Sequence, residues 1–276
     1  MDGTTSLSAA LTAASAPTTL EALAALAALT RRALVTCLRT PSLVVGPVMM
    51  SAFFLVIYDG QLSLPATAIV PGGTYVSFLL PLVLLTVAFT GGAIAGQLLL
   101  RDLDSGYHAC LALTPSRRSS LVIAPVTAGV VVVAAQALVL VALALPLGLV
   151  SPHGIVGVLA LLGLTLIVGT GFLLLAIAAA LIGRTTATVA MVTYVFFPLS
   201  FLTTTFVPRE HLRGWMAVAA DLNPLTYLLA GMREALSPGW AVGALVSATV
   251  AAAAILLIGV VAVWYGLAQD AKEIDR

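Results

Sequence analysis

Side chains able to do covalent or acid–base chemistry are sparse in this sequence, and their positions rule out most of what they could do. A phosphate-binding loop sets a lysine directly after a glycine-rich turn. The single lysine is Lys272, near the C-terminal end and without such a turn before it. The chain is therefore not expected to hydrolyse nucleotide and is read as no enzyme. His108, His153 and His211 all fall between the long apolar runs, and no HExxH occurs. None of them can activate a serine inside a membrane, so each is read as an ordinary surface histidine. Cys37 and Cys110 are too few and too far apart for a metal site. No catalytic residue and no metal are expected, and no nucleic-acid partner.

One stretch does concentrate charge. "RDLDSGYHACLALTPSRR", residues 101–118, carries two aspartates and three arginines in a chain that is only 8% charged. This pattern suits recognition rather than catalysis. Read as a helix, Leu103, Tyr107 and Leu111 recur at i, i+4 and i+8 and form one apolar ridge. Asp102 and Asp104 stand at its N-terminal end, where negative charge suits the helix dipole, and Pro115 stops it. Periodicity leaves two readings equally open: a helix that inserts its ridge into a groove on another protein, and a capped connector that touches nothing.

The elements on either side explain why an island of charge is unusual here. The sequence is 61% hydrophobic, with a mean hydropathy of +1.14, against about 45–50% apolar residues in soluble domains. This composition indicates an all-α integral membrane protein. Crossing a hydrocarbon core takes about 20 helical residues, and apolar runs of about that size occur near 43–58, 75–100, 121–150, 155–182, 187–207 and 240–267. The first is short. The runs are continuous rather than alternating, which favours helices over barrel strands. No ionisable residue falls inside them, which counts against a proton-coupled carrier.

Basic residues orient the spans. With six passes both termini share a side, and that side collects Arg31, Arg32, Arg39, Arg101, Arg117, Arg118, Arg184, Lys272 and Arg276, nine of the twelve. Only Arg209, Arg213 and Arg233 lie on the other side, all in one loop, 208–239. Both termini, the loop 101–118 and the tail 268–276 are therefore expected in the cytoplasm. Cys37 and Cys110 share that reducing side and are expected as free thiols.

Residues 1–19 have no compact apolar stretch after a basic start, so a disordered tail is expected and not a cleaved signal. Residues 20–40 are rich in helix formers. At about 100° per residue, Leu23, Leu26, Ala27, Leu34 and Leu38 share one side, with Glu21, Arg32, Thr36 and Arg39 opposite. A helix lying on the cytoplasmic membrane surface fits this pattern, and a merely solvated alanine-rich helix is the alternative. Pro41 should bend the chain into the first span.

In order, these features resemble the permease subunit of ABC-2 type ABC transporters, the group that includes daunorubicin-resistance and polysaccharide-export permeases. The acidic cluster, glycine, apolar helix and basic end of "DLDSGYHACLALTPSRR" match the family's loop between spans two and three. "FVPREHLRGWMAVAADLNPLTYLLAGMREAL" (206–236) is similar to its outer loop, in Pro208, Gly214, Trp215, Asn223, Pro224 and Tyr227. Arg213 stands before Gly214 where family members often have proline, which leaves that turn's conformation open.

The resemblance covers residues from about 20 to 267 and implies a transmembrane domain over 41–267. It implies an exporter in which two permease subunits pair, as homodimer or heterodimer, each contacting a cytoplasmic ABC ATPase that binds ATP and Mg. The chain itself then needs no cofactor. The helix that couples it to the ATPase would be 102–114, with Asp102, Leu103, Asp104, Gly106, Tyr107 and Leu111 in contact. The outer loop would form one or two short helices dipping into the external leaflet. The uncharged polar positions in the spans, including Thr86, Thr90, Gln136, Thr193 and Tyr194, suit an amphipathic or hydrophobic cargo such as a drug, lipid or lipid-linked glycan. A membrane scaffold that moves nothing, or a standalone carrier, is the alternative. Scarce lysine and abundant alanine point to a bacterium, and so to its inner membrane.

Overall fold

A chain this apolar must pair its backbone groups internally, and helices do so within each segment. The computed structural model of the chain describes residues 19–66, 74–105, 118–203 and 213–274, and these contain helices and connections but no strand. We number the helices α1 (Thr19–Arg39), α2 (Pro41–Ala66), α3 (Tyr75–Asp104), α4 (Arg118–Ala144), α5 (Ile155–Gly183), α6 (Thr186–Phe201), α7 (Trp215–Leu222), α8 (Pro224–Glu234) and α9 (Val242–Ile274).

Six of the described helices run alternately up and down. Gly92 and Gly96 of α3 meet Phe172 and Ala176 of α5 in the same order, so these two are parallel. Gly129 lies against Leu173, whereas Gly169 lies against Val133, so α4 opposes α5. Phe89 packs on Phe196, and Gly96 lies against Val189, so α6 opposes α3. Gly171 abuts Ile255, and Gly266 abuts Leu181, so α9 runs with α5. Val44 clusters with Ile94 and Leu98 at one end, while Leu55 joins Val76 and Leu80 towards the other, so α2 opposes α3. The Gly92-x-x-x-Gly96 pair thus serves packing within the chain. A Cβ on Gly92 would sit 3.0 Å from the Phe172 backbone, and one on Gly96 would sit 2.8 Å from the Ala176 carbonyl oxygen.

α3, α4, α5 and α9 are each long and apolar enough to cross a bilayer, and α1 with α2, bent by 60° between them, counts as a fifth candidate. The 16-residue α6 is shorter, about 24 Å at 1.5 Å per residue.

Several boundaries differ from the sequence expectation. The run 121–150 is helical only to Ala144, because Pro146 has no N–H to continue the ladder and Gly148, at φ +92°, turns the chain. α6 ends at Phe201, short of 207. α9 continues to Ile274, so much of the expected tail 268–276 is helix. The break before Pro41 falls at Thr40, as the proline dictates.

Candidate functional site

A cavity of about 460 Å³ lies between α2, α3 and α6, within the roughly 300–1,000 Å³ of small-molecule sites. Phe54 lines it from α2, Leu79, Leu82 and Val83 from α3, and Phe197 and Phe201 from α6. Phe89 and Phe196 stack at its wall, and Phe172 packs edge-on against Phe89 with centroids 4.1 Å apart. Beyond Thr90 and Thr193, α3 and α6 close on each other, where Gly96 admits Val189. The cavity is therefore blind at that end.

Polar groups in this wall are hydroxyls. Thr86 and Thr90 donate to carbonyls one turn back, Leu82 O at 3.0 Å and Thr86 O at 2.9 Å. The hydroxyl oxygens of Ser51 and Thr193 are buried without a hydrogen-bond partner among the described residues. Among the described residues, no side chain of Asp, Glu, Lys, Arg or His lines the cavity. Such a wall can hold an apolar, flat body and offer hydrogen bonds to an uncharged polar atom, and it has nothing with which to neutralise an ion. Of the span positions singled out in the sequence, it gathers Thr86, Thr90, Thr193 and Tyr194. Gln136 is elsewhere, its Nε2 donating to Val44 O at 2.8 Å.

At the end of the bundle that carries Arg31, Arg32, Arg39, Arg101 and Arg184, the charged island begins inside α3. Asp102 and Asp104 lie in the last turn of that helix, closed by Ser105, and not at the N-terminus of a separate one. Negative charge is disfavoured at a helix C-terminus, and a partner offsets this: Arg32 Nη2 meets Asp102 Oδ1 at 2.8 Å. Arg101 Nη1 donates to Thr40 Oγ1 at 3.4 Å. Leu103 packs partly buried against the cluster of Leu99, Leu100 and Leu181, so one member of the expected ridge is engaged within the chain. Gly106, Tyr107, Leu111 and Cys110 lie outside the described residues.

α1 seats on the bundle through Ala33, Leu34 and Cys37, packed against Ile94, Leu98 and Val132. Leu38, expected on the same side as Leu34, is 75% exposed; the small side chains at 33 and 37 allow the closer approach and turn Leu38 away. Cys37 is a buried free thiol, and burial pushes its pKa up against the opposing pull of Arg101.

At the opposite end the loop 208–239 forms the two short helices α7 and α8. Pro208 lies outside the described residues. Gly214 starts α7 at φ +64°, a conformation that requires glycine whatever residue precedes it. Trp215, Val218 and Leu222 are exposed along one side of α7. Asn223 caps α8, its Oδ1 accepting from Leu225 N at 3.0 Å, and Pro224 takes the first helical position. Tyr227 donates to Asp221 O at 2.8 Å. His153 stands edge-on to Trp240, with centroids 4.5 Å apart.

Sequence reasoning missed Ser51, Phe54 and Arg233. The first two sit on a helix apolar all round, where no periodicity tells the wall of a cavity from a lipid face. Arg233 counted only as a loop cation. It is partly buried, with Cζ 3.6 Å from the Phe78 ring centroid and Nε donating to Phe78 O at 3.2 Å. Its signal was legible, since it follows Leu225 and Leu229 at i+8 and i+4 on the inward side of α8. Burial pulls its pKa down to about 9, against the upward influence of Tyr75, and leaves it a cation at neutral pH.

No curated protein matches the chain in a sequence search. The family model described as ABC-2 type transporter matches residues 24–237, a stretch that includes α1's seat, the cavity helices, the charged island and the short pair α7–α8. A multi-pass membrane protein with that match, and with its apolar helices arranged around an uncharged cavity, belongs to the ABC-2 type transporter family.

Proposed function

We propose that this permease subunit forms the export pathway for an uncharged amphiphile, a drug-like molecule or a lipid, driven by a separate cytoplasmic ABC ATPase. The carrying observation is the aromatic cavity between α2, α3 and α6, with two buried hydroxyls that lack partners and no ionised side chain. In this reading α2, α3, α4, α5, α6 and α9 make six passes of a bacterial inner membrane, α1 lies on its cytoplasmic face, and both termini are cytoplasmic. The alternating directions of the six helices and the gathering of arginines at one end support this topology. The ATPase binds ATP and Mg²⁺, and it docks on the loop that follows Asp102. A second permease subunit, identical or different, completes the pathway, and the exposed faces of α2 and α6 beside the cavity mouth suit that pairing. Trp215, Val218 and Leu222 suit the outer leaflet.

Two substitutions separate pathway from coupling. Thr193→Arg sets a cation in the cavity and should abolish cargo export while leaving ATPase association intact. Tyr107→Asp places a charge in a desolvated contact, at a cost of about 3 kcal/mol or more, roughly a hundredfold in affinity. The permease should still insert but should no longer co-purify with its ATPase or export. The reading requires that wild-type chain alone in liposomes neither hydrolyses ATP nor moves cargo, and that adding the ATPase confers both. ATP hydrolysis by the isolated chain would overturn it, and so would full export by both variants.

A further inference from the structure

The outer end of the cavity is spanned by α8, which is attached at both of its ends. Asn223 uses its whole amide. Its Nδ2 donates to Leu199 O at 2.7 Å and Leu202 O at 3.0 Å, carbonyls at the C-terminal end of α6, while its Oδ1 caps α8. The last carbonyls of a helix lack partners within it, so these are the α6 groups most in need of donors. α8, eleven residues from Pro224 to Glu234, then carries the chain to Arg233, its last but one. Arg233 grips Phe78, one turn into α3, by a hydrogen bond to its carbonyl and by lying over its ring. Arg233 is half-buried, and a cation drawn part-way out of water is costly to leave without its partners, so both contacts favour keeping the grip. Behind, α8 is held against α9, where Gly231 lies beside Ala244 and Ala248, and the Ala241 N–H donates to Glu234 Oε1 at 2.6 Å.

The two gripped helices are those that face each other across the cavity. The cavity residues Leu79, Leu82 and Val83 follow Phe78 directly, and Phe197, Ser200 and Phe201 flank Leu199. We infer that Asn223 and Arg233 are positioning residues that make α8 a brace between the outer ends of α3 and α6, setting the width of the cavity mouth from outside the bundle. The inner ends of the same helices need no brace, since they touch directly where Gly96 meets Val189. That the width selects cargo rests on the pathway reading above; the bracing itself does not.

Asn223→Asp separates bracing from capping, because the carboxylate still accepts from Leu225 N but has no hydrogens for Leu199 and Leu202. Arg233→Met keeps the length and loses the cation, and Arg233→Lys keeps a cation over the ring. In a full-length chain with Cys37 and Cys110 replaced by alanine, in lipid nanodiscs, nitroxide pairs placed at Leu82 and Phe201 report the outer spacing of α3 and α6. A pair at Leu103 and Thr186 reports the inner spacing. Asn223→Asp and Arg233→Met should each lengthen and broaden the outer distance distribution and leave the inner one unchanged. The double variant should be no broader than either alone, since a brace fails when one end lets go, and Arg233→Lys should restore most of the wild-type width. Outer distributions that match wild type in either single variant would overturn the inference. Equal broadening of the inner pair would do so as well, by showing general loosening. The distances are read without cargo, ATP or ATPase, so failure here and failure of the export reading are separate results.

Discussion

Whether a buried polar atom has a partner decides what its removal does. Gln136 Nε2 donates to Val44 O at 2.8 Å and so ties α4 to α2, while its Oε1, like the Ser51 hydroxyl, has no partner among the described residues. Gln136→Glu, which keeps the shape but loses the donating hydrogens and sets a carboxylate there, should therefore lower stability by about 1 kcal/mol or more, and Ser51→Ala should be close to neutral, as compared by thermal unfolding in the same detergent. A larger loss for Ser51→Ala would mean that its hydroxyl is engaged after all. Cys37 makes a second contrast. With its pKa raised by burial, the thiol stays protonated through neutral pH and out of reach, so a membrane-permeant maleimide at pH 7 should modify it only after denaturation. None of these distinctions was legible in the sequence, where Ser51 and Gln136 were two uncharged polar residues in apolar runs. Asn223 was legible as part of a turn, because Asn-Pro announces a helix start, but the two α6 carbonyls it serves are more than twenty positions away.

Helices announced themselves by continuous apolar length, and their ends did not. Pro146 and Gly148 end α4 inside what reads as one run, and the acids at 102 and 104 read as the opening of a new helix although they close α3. Local sequence cannot show that Arg32, 70 residues upstream, supplies the charge that makes those acids tolerable there. Close approach of helices is likewise written only in small residues, and it separates glycines that look alike. Gly92 has Phe172 backbone atoms 3.0 Å from where its Cβ would be, and Gly163 has nothing within 4 Å. Gly92→Leu should thus cost about 1–3 kcal/mol by forcing α3 off α5. Gly163→Ala should gain about 0.5–1 kcal/mol from reduced backbone freedom. Unfolding midpoints of the two variants should move in opposite directions.

Over the whole molecule, the class of fold and the family could be read from composition, from the order of motifs and from the bias of arginines, since each is summed over many residues. The cavity could not, because it depends on which faces of three uniformly apolar helices meet. The expected topology has a direct check in the two thiols: with Cys37 shielded, Cys110 is the reporter, and an impermeant maleimide should label it in permeabilised cells and not in sealed ones. Labelling in sealed cells would reverse the orientation. The blind inner end of the cavity has a consequence of its own. A membrane that stores energy as an ion gradient must not be short-circuited by the proteins that span it. Where Gly96 lets Val189 close the space beneath the stacked Phe89 and Phe196, a sodium ion or proton entering the cavity meets carbon and hydroxyls and, among the described residues, no counter-charge. Stripping such an ion of water costs tens of kcal/mol in the idealised limit, so this cavity is an electrical insulator that admits only a molecule content to leave water.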